Sequence, residues 1–322
     1  MLLAIGFGLF YMYDKGVLFK GKDNDEKQTD SVVNNDEQNN EEDRKKLEEE
    51  KEKKYKECME KPYKMDSLEA EFSELFKSYD GRNLSLYFKD IKNDYSFSLD
   101  PNRIYYSGCV VKLFVTIYLV ERARAGEIDL HDTLTYLPQD KHAYSDLTDQ
   151  HEFYEEIPIT TLMDYYLTIS DNSAYMIIMR SFGSSNINQY FWDKYGIELP
   201  FTDSHPFIAN YNANIANRSL ELLYNVLQID DEYTALIKKA MDNDEENALN
   251  FDNVRILHKY GELAPYHNDI GIYDSDYPYL VSVLSLYAND DYMGKISSVS
   301  RDMYNIYKKN LDAKEAYCRN EI

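Results

Sequence analysis

The sequence has little of what several large function classes require. Its three cysteines lie far apart and its six histidines form no pair at ligand spacing, so it predicts neither a metal site nor a cofactor. Basic residues are scarce: 35 Lys and Arg face 58 Asp and Glu, and the net charge of −23 argues against nucleic acid as a partner. The 31 tyrosines are scattered through predicted helices and strands, which indicates compositional bias.

Long hydrophobic runs are also lacking. The best candidate, residues 2–13 and 16–19, is interrupted by Asp14 and Lys15, whereas a membrane span needs about 20 continuous apolar residues. It has neither the basic leader nor the small-residue cleavage site of a secretory signal. We favour a single-pass membrane anchor over residues 1–20, a signal-anchor that begins before this sequence, with the rest of the chain extracytoplasmic. A cleaved signal and a buried core segment are the alternatives.

Residues 21–62 are almost free of large apolar side chains and rich in Asp, Glu, Lys, Asn and Gln. Such a segment cannot bury enough surface to offset the entropy of ordering, so we predict a charged linker. Its second half, residues 41–60, has mixed charges at helical spacing and is expected to form a solvated helix. Residues 63–322 are long enough for one domain with a substantial core.

The hydrophobic pattern of this domain predicts an ordered series of elements. A first helix near 67–80 precedes a hairpin of two strands, then a block of helices, three further strands and a closing helix. The expected bounds are 84–88 and 95–99 for the hairpin, 113–125, 160–169, 172–182 and 217–227 for the helices, 255–259, 269–273 and 280–287 for the strands, and 296–318 for the closing helix. This order indicates an α+β fold, with an antiparallel sheet of about five strands flanked by the terminal helices and an all-helical subdomain.

The first candidate for chemistry is Cys109-Val110-Val111-Lys112, at the start of the apolar helix. A spacing of three places the thiol and the amine on one helical face, with Cβ atoms about 5–6 Å apart. The amine can accept a proton or stabilise a thiolate, and a helix N-terminus lowers a thiol pKa further. Alone, the pattern is more typical of a small buried cysteine in a core helix. Ser107, five positions before the lysine, faces the wrong side and is discounted.

Two polar motifs follow downstream. Ser170-Asp171-Asn172 lies at the junction of two predicted helices, where an N-cap is the ordinary interpretation of such residues. H-K-Y-G at 258–261 lies at the end of a predicted strand, and N-D-I-G at 268–271 opens the next strand.

In this order the three motifs resemble the S-x-x-K, S-D-N and K-T-G set of class A β-lactamases and penicillin-binding proteins. From about residue 67 onward the chain resembles a penicillin-recognising serine hydrolase whose nucleophilic serine is replaced by Cys109, and whose third motif carries Tyr260 in place of threonine. The resemblance implies a β-lactamase-like fold.

The resemblance also implies roles for the residues around the reacting bond. Cys109 would be the nucleophile, activated by Lys112, and Ser170 would carry a proton to the leaving group. Asn172 would hold the substrate amide carbonyl, and Asp171 would brace the local backbone.

A second group would bind the substrate. Lys259 would attract a substrate carboxylate, and Gly261 would let the substrate lie against the strand. Tyr260 replaces a small hydroxyl residue that bonds the carboxylate, and its bulk would narrow the groove or leave the hydroxyl out of reach. The backbone N–H groups of Cys109 and Glu262 would form the oxyanion hole.

The chain departs from the family pattern in ways that bear on turnover. Class A β-lactamases use a glutamate to activate the deacylating water, and Glu198 does not have the expected spacing. Sulfur also displaces the reacting carbon, and a misplacement of about 1 Å costs roughly 10²-fold in rate. Two functions therefore stay open. One is a weak membrane-anchored acyl hydrolase acting on β-lactams or peptidoglycan-like peptides. The other is an inactive binding or sensor domain at the cell envelope.

The remaining cysteines lie near the ends of the domain. In the implied fold the first and last helices pack together, which brings Cys58 close to Cys318. We therefore predict a disulfide between them in an oxidising compartment, which leaves Cys109 as the free thiol. Two unpaired surface cysteines are the alternative.

Overall fold

The computed structural model describes residues 30–61, 66–199, 210–243, 247–286 and 291–321. The predicted anchor over residues 1–20 lies outside these ranges. The chain divides into two compact units, Met1–Lys56 and Glu57–Ile322. Among the described residues, the helices are all too short or too polar to cross a bilayer.

Helix α1, Asp30–Glu60, is exposed over most of residues 43–57, whereas Met59 near its end is 1% exposed. Glu50 and Glu52 lie one turn before Lys54 and Lys56, at carboxylate–ammonium distances of 2.9 and 3.5 Å. Such i,i+4 pairs each stabilise an exposed helix by only a few tenths of a kcal/mol, so together they support the exposed part of α1. The helix begins earlier than residue 41, where we predicted its start.

The main sheet has five antiparallel strands in the order β2-β1-β9-β8-β7, as predicted for a β-lactamase-like fold. Two small ribbons, β3 with β6 and β4 with β5, stand beside it. The bounds of the strands are β1 Leu84–Asp90, β2 Tyr95–Leu99, β3 Tyr105–Tyr106, β4 Thr133–Thr135, β5 Glu156–Pro158, β6 Asn210–Tyr211, β7 Leu257–Leu263, β8 Tyr266–Tyr273 and β9 Tyr279–Leu286.

The helices form two groups. Helices α2 and α10 come from the two ends of the domain, and the others make up a helical block that holds most of the buried core. Their bounds are α2 Asp66–Tyr79, α3 Lys112–Arg124, α4 Leu147–Gln150, α5 Ile159–Thr168, α6 Asn172–Phe182, α7 Ser184–Tyr195, α8 Ala213–Leu227, α9 Glu232–Met241 and α10 Tyr292–Asn320. A short 3₁₀ turn, Gly108–Val111, leads into α3.

The terminal helices are joined to each other as well as to the sheet. Ser67 donates a hydrogen bond of 2.9 Å to Asn310, and Cys58 forms a disulfide with Cys318, the pair named from the sequence. The disulfide closes a loop of 260 residues, for which the chain-entropy model gives about 5 kcal/mol of stabilisation. The hydrogen bond joins α2 to α10, and the disulfide joins the end of α1 to α10, so both ends of the domain are held together.

One prediction needs correction and two helices were missed. Strand β7 does not end at the third motif: it runs on to Leu263, which places Lys259 in its middle. Gly261 stands inside the strand because another segment of backbone approaches it closely. Helices α7 and α9 were not predicted.

Candidate active site

The first two motifs meet around a buried ammonium group. Lys112 is fully buried in the first turn of α3, and its Nζ donates to Ser170 O at 2.6 Å and to Asn172 Oδ1 at 2.9 Å. Asp171 O lies 3.3 Å away and Ser170 Oγ 3.4 Å away. A buried charge needs several hydrogen-bond partners. Lys112 therefore fixes the position of the second motif relative to the 3₁₀ turn Gly108–Val111, which carries the candidate nucleophile Cys109 and is the nucleophile turn.

The thiol of Cys109 lies at the edge of this network. It is partly exposed, and its Sγ is 3.8 Å from Asn172 Oδ1. Burial is the largest single influence on its pKa and raises it. The positive charges of Lys112 and Lys259, with hydrogen bonds from Ser170 and Lys112, outweigh burial and hold the pKa of the Cys109 thiol below its usual value. The sulfur is therefore more readily a thiolate than an ordinary cysteine.

The same burial acts in the opposite sense on the amine. Desolvation lowers the pKa of Lys112, although Cys109 and Asp171 partly counter it. A lysine with a lowered pKa gives up its proton more easily, which is what a proton acceptor beside a nucleophile requires.

The second motif is held by its aspartate. Asp171 caps α6 by accepting from the Ala174 amide at 2.8 Å, and it also accepts from the Leu147 amide at 2.9 Å. Ser170 has a φ of 59°, in the left-handed region that non-glycine residues rarely adopt. This conformation places its hydroxyl between two lysines: Lys259 Nζ donates to Ser170 Oγ at 3.0 Å, from the opposite side to Lys112.

Strand β7 approaches the nucleophile turn so closely that only glycine fits on either side. A Cβ on Gly261 would lie 2.4 Å from Ser107 O and 2.8 Å from the Cys109 amide nitrogen. A Cβ on Gly108, whose φ is +52°, would lie 2.8 Å from the Glu262 nitrogen. The two amide nitrogens expected to form an oxyanion hole are therefore brought to one place, at the free edge of the sheet.

The third motif differs most from the family pattern. Lys259 is buried, and its Nζ lies 4.1 Å from the centre of the Tyr260 ring and 3.2 Å from Tyr260 O. The aromatic face thus stabilises the ammonium by a cation–π interaction. Tyr260 folds onto the lysine beside it.

Sequence reasoning gave no role to His258 or Asp269. Their side chains are each 1% exposed and lie 2.9 Å apart, across strands β7 and β8. Asp269 pairs with Tyr260 in the strand register, and the His258 ring stacks near the Tyr260 ring with centroids 6.2 Å apart. His258 and Asp269 stand in the H-K-Y-G and N-D-I-G runs of the sequence. That they are neighbours follows only from the register in which β7 pairs with β8.

Glu198, which did not have the spacing of a deacylating base, lies just after α7. It lines a separate cleft with Ser185, Gln189 and Trp192, and none of the residues described around that cleft belongs to a motif. Within the described ranges, no group of three or more His, Cys, Asp or Glu side chains is placed to bind a metal ion.

Residues 67–307 match the model of the β-lactamase enzyme family Beta-lactamase2, and the chain belongs to this family. No curated protein sequence matches it significantly. Among solved structures, a PBP-A variant captured as an acyl-enzyme with penicillin G is 18% identical, with a TM-score of 0.64 over 74% of this chain and 97% of that chain. A class A β-lactamase from Bacteroides cellulosilyticus is 15% identical, with a TM-score of 0.65 over 75% and 99%. A β-lactamase from Chitinophaga pinensis is 13% identical, with a TM-score of 0.64 over 74% and 98%. These identities establish a shared fold.

Proposed function

We propose that this protein is an acyl hydrolase of slow turnover, which acts on β-lactams or peptidoglycan-like peptides through a thioester on Cys109. The observation that carries the proposal is the thiol itself. Its pKa is lowered and it lies beside the buried Lys112. The amides of Cys109 and Glu262 are brought together next to it by the close approach of Gly261 to the nucleophile turn. A thiolate next to preorganised amide donors is the arrangement that acyl transfer needs.

The acylation step follows from these contacts. Lys112 takes the thiol proton, Cys109 Sγ attacks the amide carbon to form the S–C bond, and the carbonyl oxygen takes negative charge between the Cys109 and Glu262 N–H groups. The carbonyl then re-forms as the C–N bond breaks, and the nitrogen receives the proton from Lys112 through Ser170, whose hydroxyl lies between Lys112 and Lys259. In a β-lactam the amine stays attached to the acyl group, whereas in a peptide it leaves.

The second step, in which water attacks the thioester, is slow in this proposal. Glu198, which does not have the spacing of a deacylating base, lines a different cleft. Slow deacylation makes the acyl-enzyme long-lived, which also makes it easy to detect.

The location of the protein is part of the proposal. An anchor over residues 1–20 would hold the domain at the outer surface of the cell membrane, with the charged linker as a spacer. The disulfide between Cys58 and Cys318 supports this placement, since disulfides persist in oxidising compartments.

The test is intact-protein mass spectrometry of the full chain after incubation with benzylpenicillin. We expect an adduct that Cys109→Ala abolishes. The Cys109→Ser variant restores the family nucleophile and serves as the matched control. An adduct on the serine variant alone would show that the groove is intact but the thiol does not react. The absence of an adduct on both would support the alternative, a binding or sensor domain, which the covered Lys259 also favours.

A further inference from the structure

The anion-binding end of the site is closed by an aromatic ring. Lys259 is 1% exposed, and three groups surround its ammonium: Ser170 Oγ at 3.0 Å, Tyr260 O at 3.2 Å and the face of the Tyr260 ring at 4.1 Å. A substrate carboxylate could reach this ammonium only if the ring moved away.

The ring is supported from behind. Tyr260 directly precedes Gly261, whose backbone contacts the nucleophile turn closely. The Tyr260 ring lies at 25° to the ring of His258. His258 is fixed by Asp269, and the other oxygen of that carboxylate accepts from the Ala248 amide at 2.9 Å. Because His258 and Asp269 are both buried and hydrogen-bonded to each other, the stack behind Tyr260 has little freedom to move.

The charge next to the ring also disfavours anions. Glu262 lies two positions from Tyr260 along β7, so both side chains project from the same face of the strand. His267 Nδ1 lies 3.6 Å from the Glu262 carboxylate, but burial lowers the pKa of His267 despite this neighbour, which disfavours a compensating positive charge on the ring.

We propose that Tyr260 is the specificity-determining residue of this site, and that it selects acyl donors with no carboxylate next to the scissile amide. The proposal rests on the acylation chemistry proposed for Cys109 and narrows its substrate class. The matching ligand is a neutral amide or lactam. Anionic penicillins, whose carboxylate would belong at Lys259, react more slowly than their neutral esters, and their adduct still accumulates on long incubation because deacylation is slow.

The experiment uses two pairs of probes that differ only in one charge. Benzylpenicillin is compared with its methyl ester by intact mass. Iodoacetate is compared with iodoacetamide by alkylation, in which the thiolate displaces iodide. The second pair works without any acylation. It is selective because Cys109 is the free thiol and the other two of the chain's three cysteines form the disulfide.

For each pair, the rate of the anionic probe is divided by the rate of the neutral probe. We expect Tyr260→Thr to raise this ratio by about ten- to hundredfold, because an uncovered Lys259 gains a charged hydrogen bond. Tyr260→Phe keeps the ring and should leave the ratio within about twofold of the original protein.

The inference is overturned if the unsubstituted protein already favours the anionic probes and Tyr260→Thr leaves both ratios unchanged. Failure of the proposed function appears differently: neither benzylpenicillin nor its ester acylates any variant. In that case the alkylation rates still test the exclusion of anions: a higher ratio of iodoacetate to iodoacetamide in Tyr260→Thr supports it, and an unchanged ratio overturns it.

Discussion

The candidate site has two sides, each built around a buried lysine, and the two differ in what surrounds the ammonium. On the helical side, Lys112 donates to carbonyl and amide oxygens of the second motif, with the Tyr175 ring 5.2 Å away. On the strand side, Lys259 has one hydroxyl, one carbonyl and the Tyr260 ring at 4.1 Å. The helical side keeps the contacts that nucleophile chemistry needs. On the strand side, the Tyr260 ring covers Lys259, the residue expected to bind a substrate carboxylate.

This comparison separates reactivity from selection. In our proposal Lys112 governs proton transfer at Cys109 and the cover over Lys259 governs which molecules reach the thiol, while the charges of both lysines lower the thiol pKa. Substitutions on the helical side should therefore change the rate for every probe, whereas substitutions at Tyr260 should change the ratio between probes.

The largest effect is expected for Lys112→Met. Loss of the proton acceptor should lower the acylation and alkylation rates of Cys109 by about 10³-fold, within the usual range for a general base. The unfolding free energy should fall by about 1–3 kcal/mol, because Ser170 O and Asn172 Oδ1 lose their buried donor. Denaturant titration and alkylation kinetics give the two readouts.

Lys314→Met is the matched control for that variant. Lys314 is 1% exposed, against 0% for Lys112, but it lies in α10, where its Nζ contacts Asn93. Alkylation of Cys109 should be unchanged there. A comparable loss of rate in both variants would mean that Lys112 acts only through folding.

The next effect is expected for Ser170→Ala, which removes the hydroxyl shared by the two lysines. We predict a fall of about 10²-fold in acylation, at the low end for a proton-transfer group. Ser170→Gly loses the same hydroxyl but relieves the φ of 59°. It should acylate equally slowly and unfold with a free energy about 1 kcal/mol higher than the alanine variant. Equal stabilities would argue against strain at this position.

A smaller effect, about 10- to 10²-fold, is expected for Gly261→Ala. The new Cβ would overlap Ser107 O and the Cys109 nitrogen, so β7 and the nucleophile turn must separate by roughly 1 Å. Gly81→Ala is the control, since its Cβ would meet no atom within 4 Å. Acylation by the methyl ester, measured by mass, should fall only in the first variant.

The smallest effect concerns pH. Since the pKa of Cys109 is lowered, the alkylation rate should rise with pH to a midpoint below the ordinary thiol value of about 8.5. Lys112→Met should move the midpoint upward. Iodoacetamide kinetics between about pH 5 and 10 measure both, and a midpoint at or above 8.5 in the unsubstituted protein would contradict the assigned electrostatics.

Much of the fold was predictable because the alternation in β1 and β2, the apolar runs of α3 and β9 and the apolar periodicity of α2 are local signals. The three motifs also identified the residues that meet at Lys112. The cover over Lys259 was not predictable in the same way. Its geometry depends on His258 and Asp269, which are eleven positions apart and become neighbours only when β7 and β8 pair in register.

The most direct test of the account is the chemical identity of the adduct formed with benzylpenicillin methyl ester. Tandem mass spectrometry should locate it on Cys109, and neutral hydroxylamine should release it, as expected for a thioester. An adduct on another residue, or no adduct with the methyl ester while Cys109 is still alkylated readily, would contradict acyl transfer at this site.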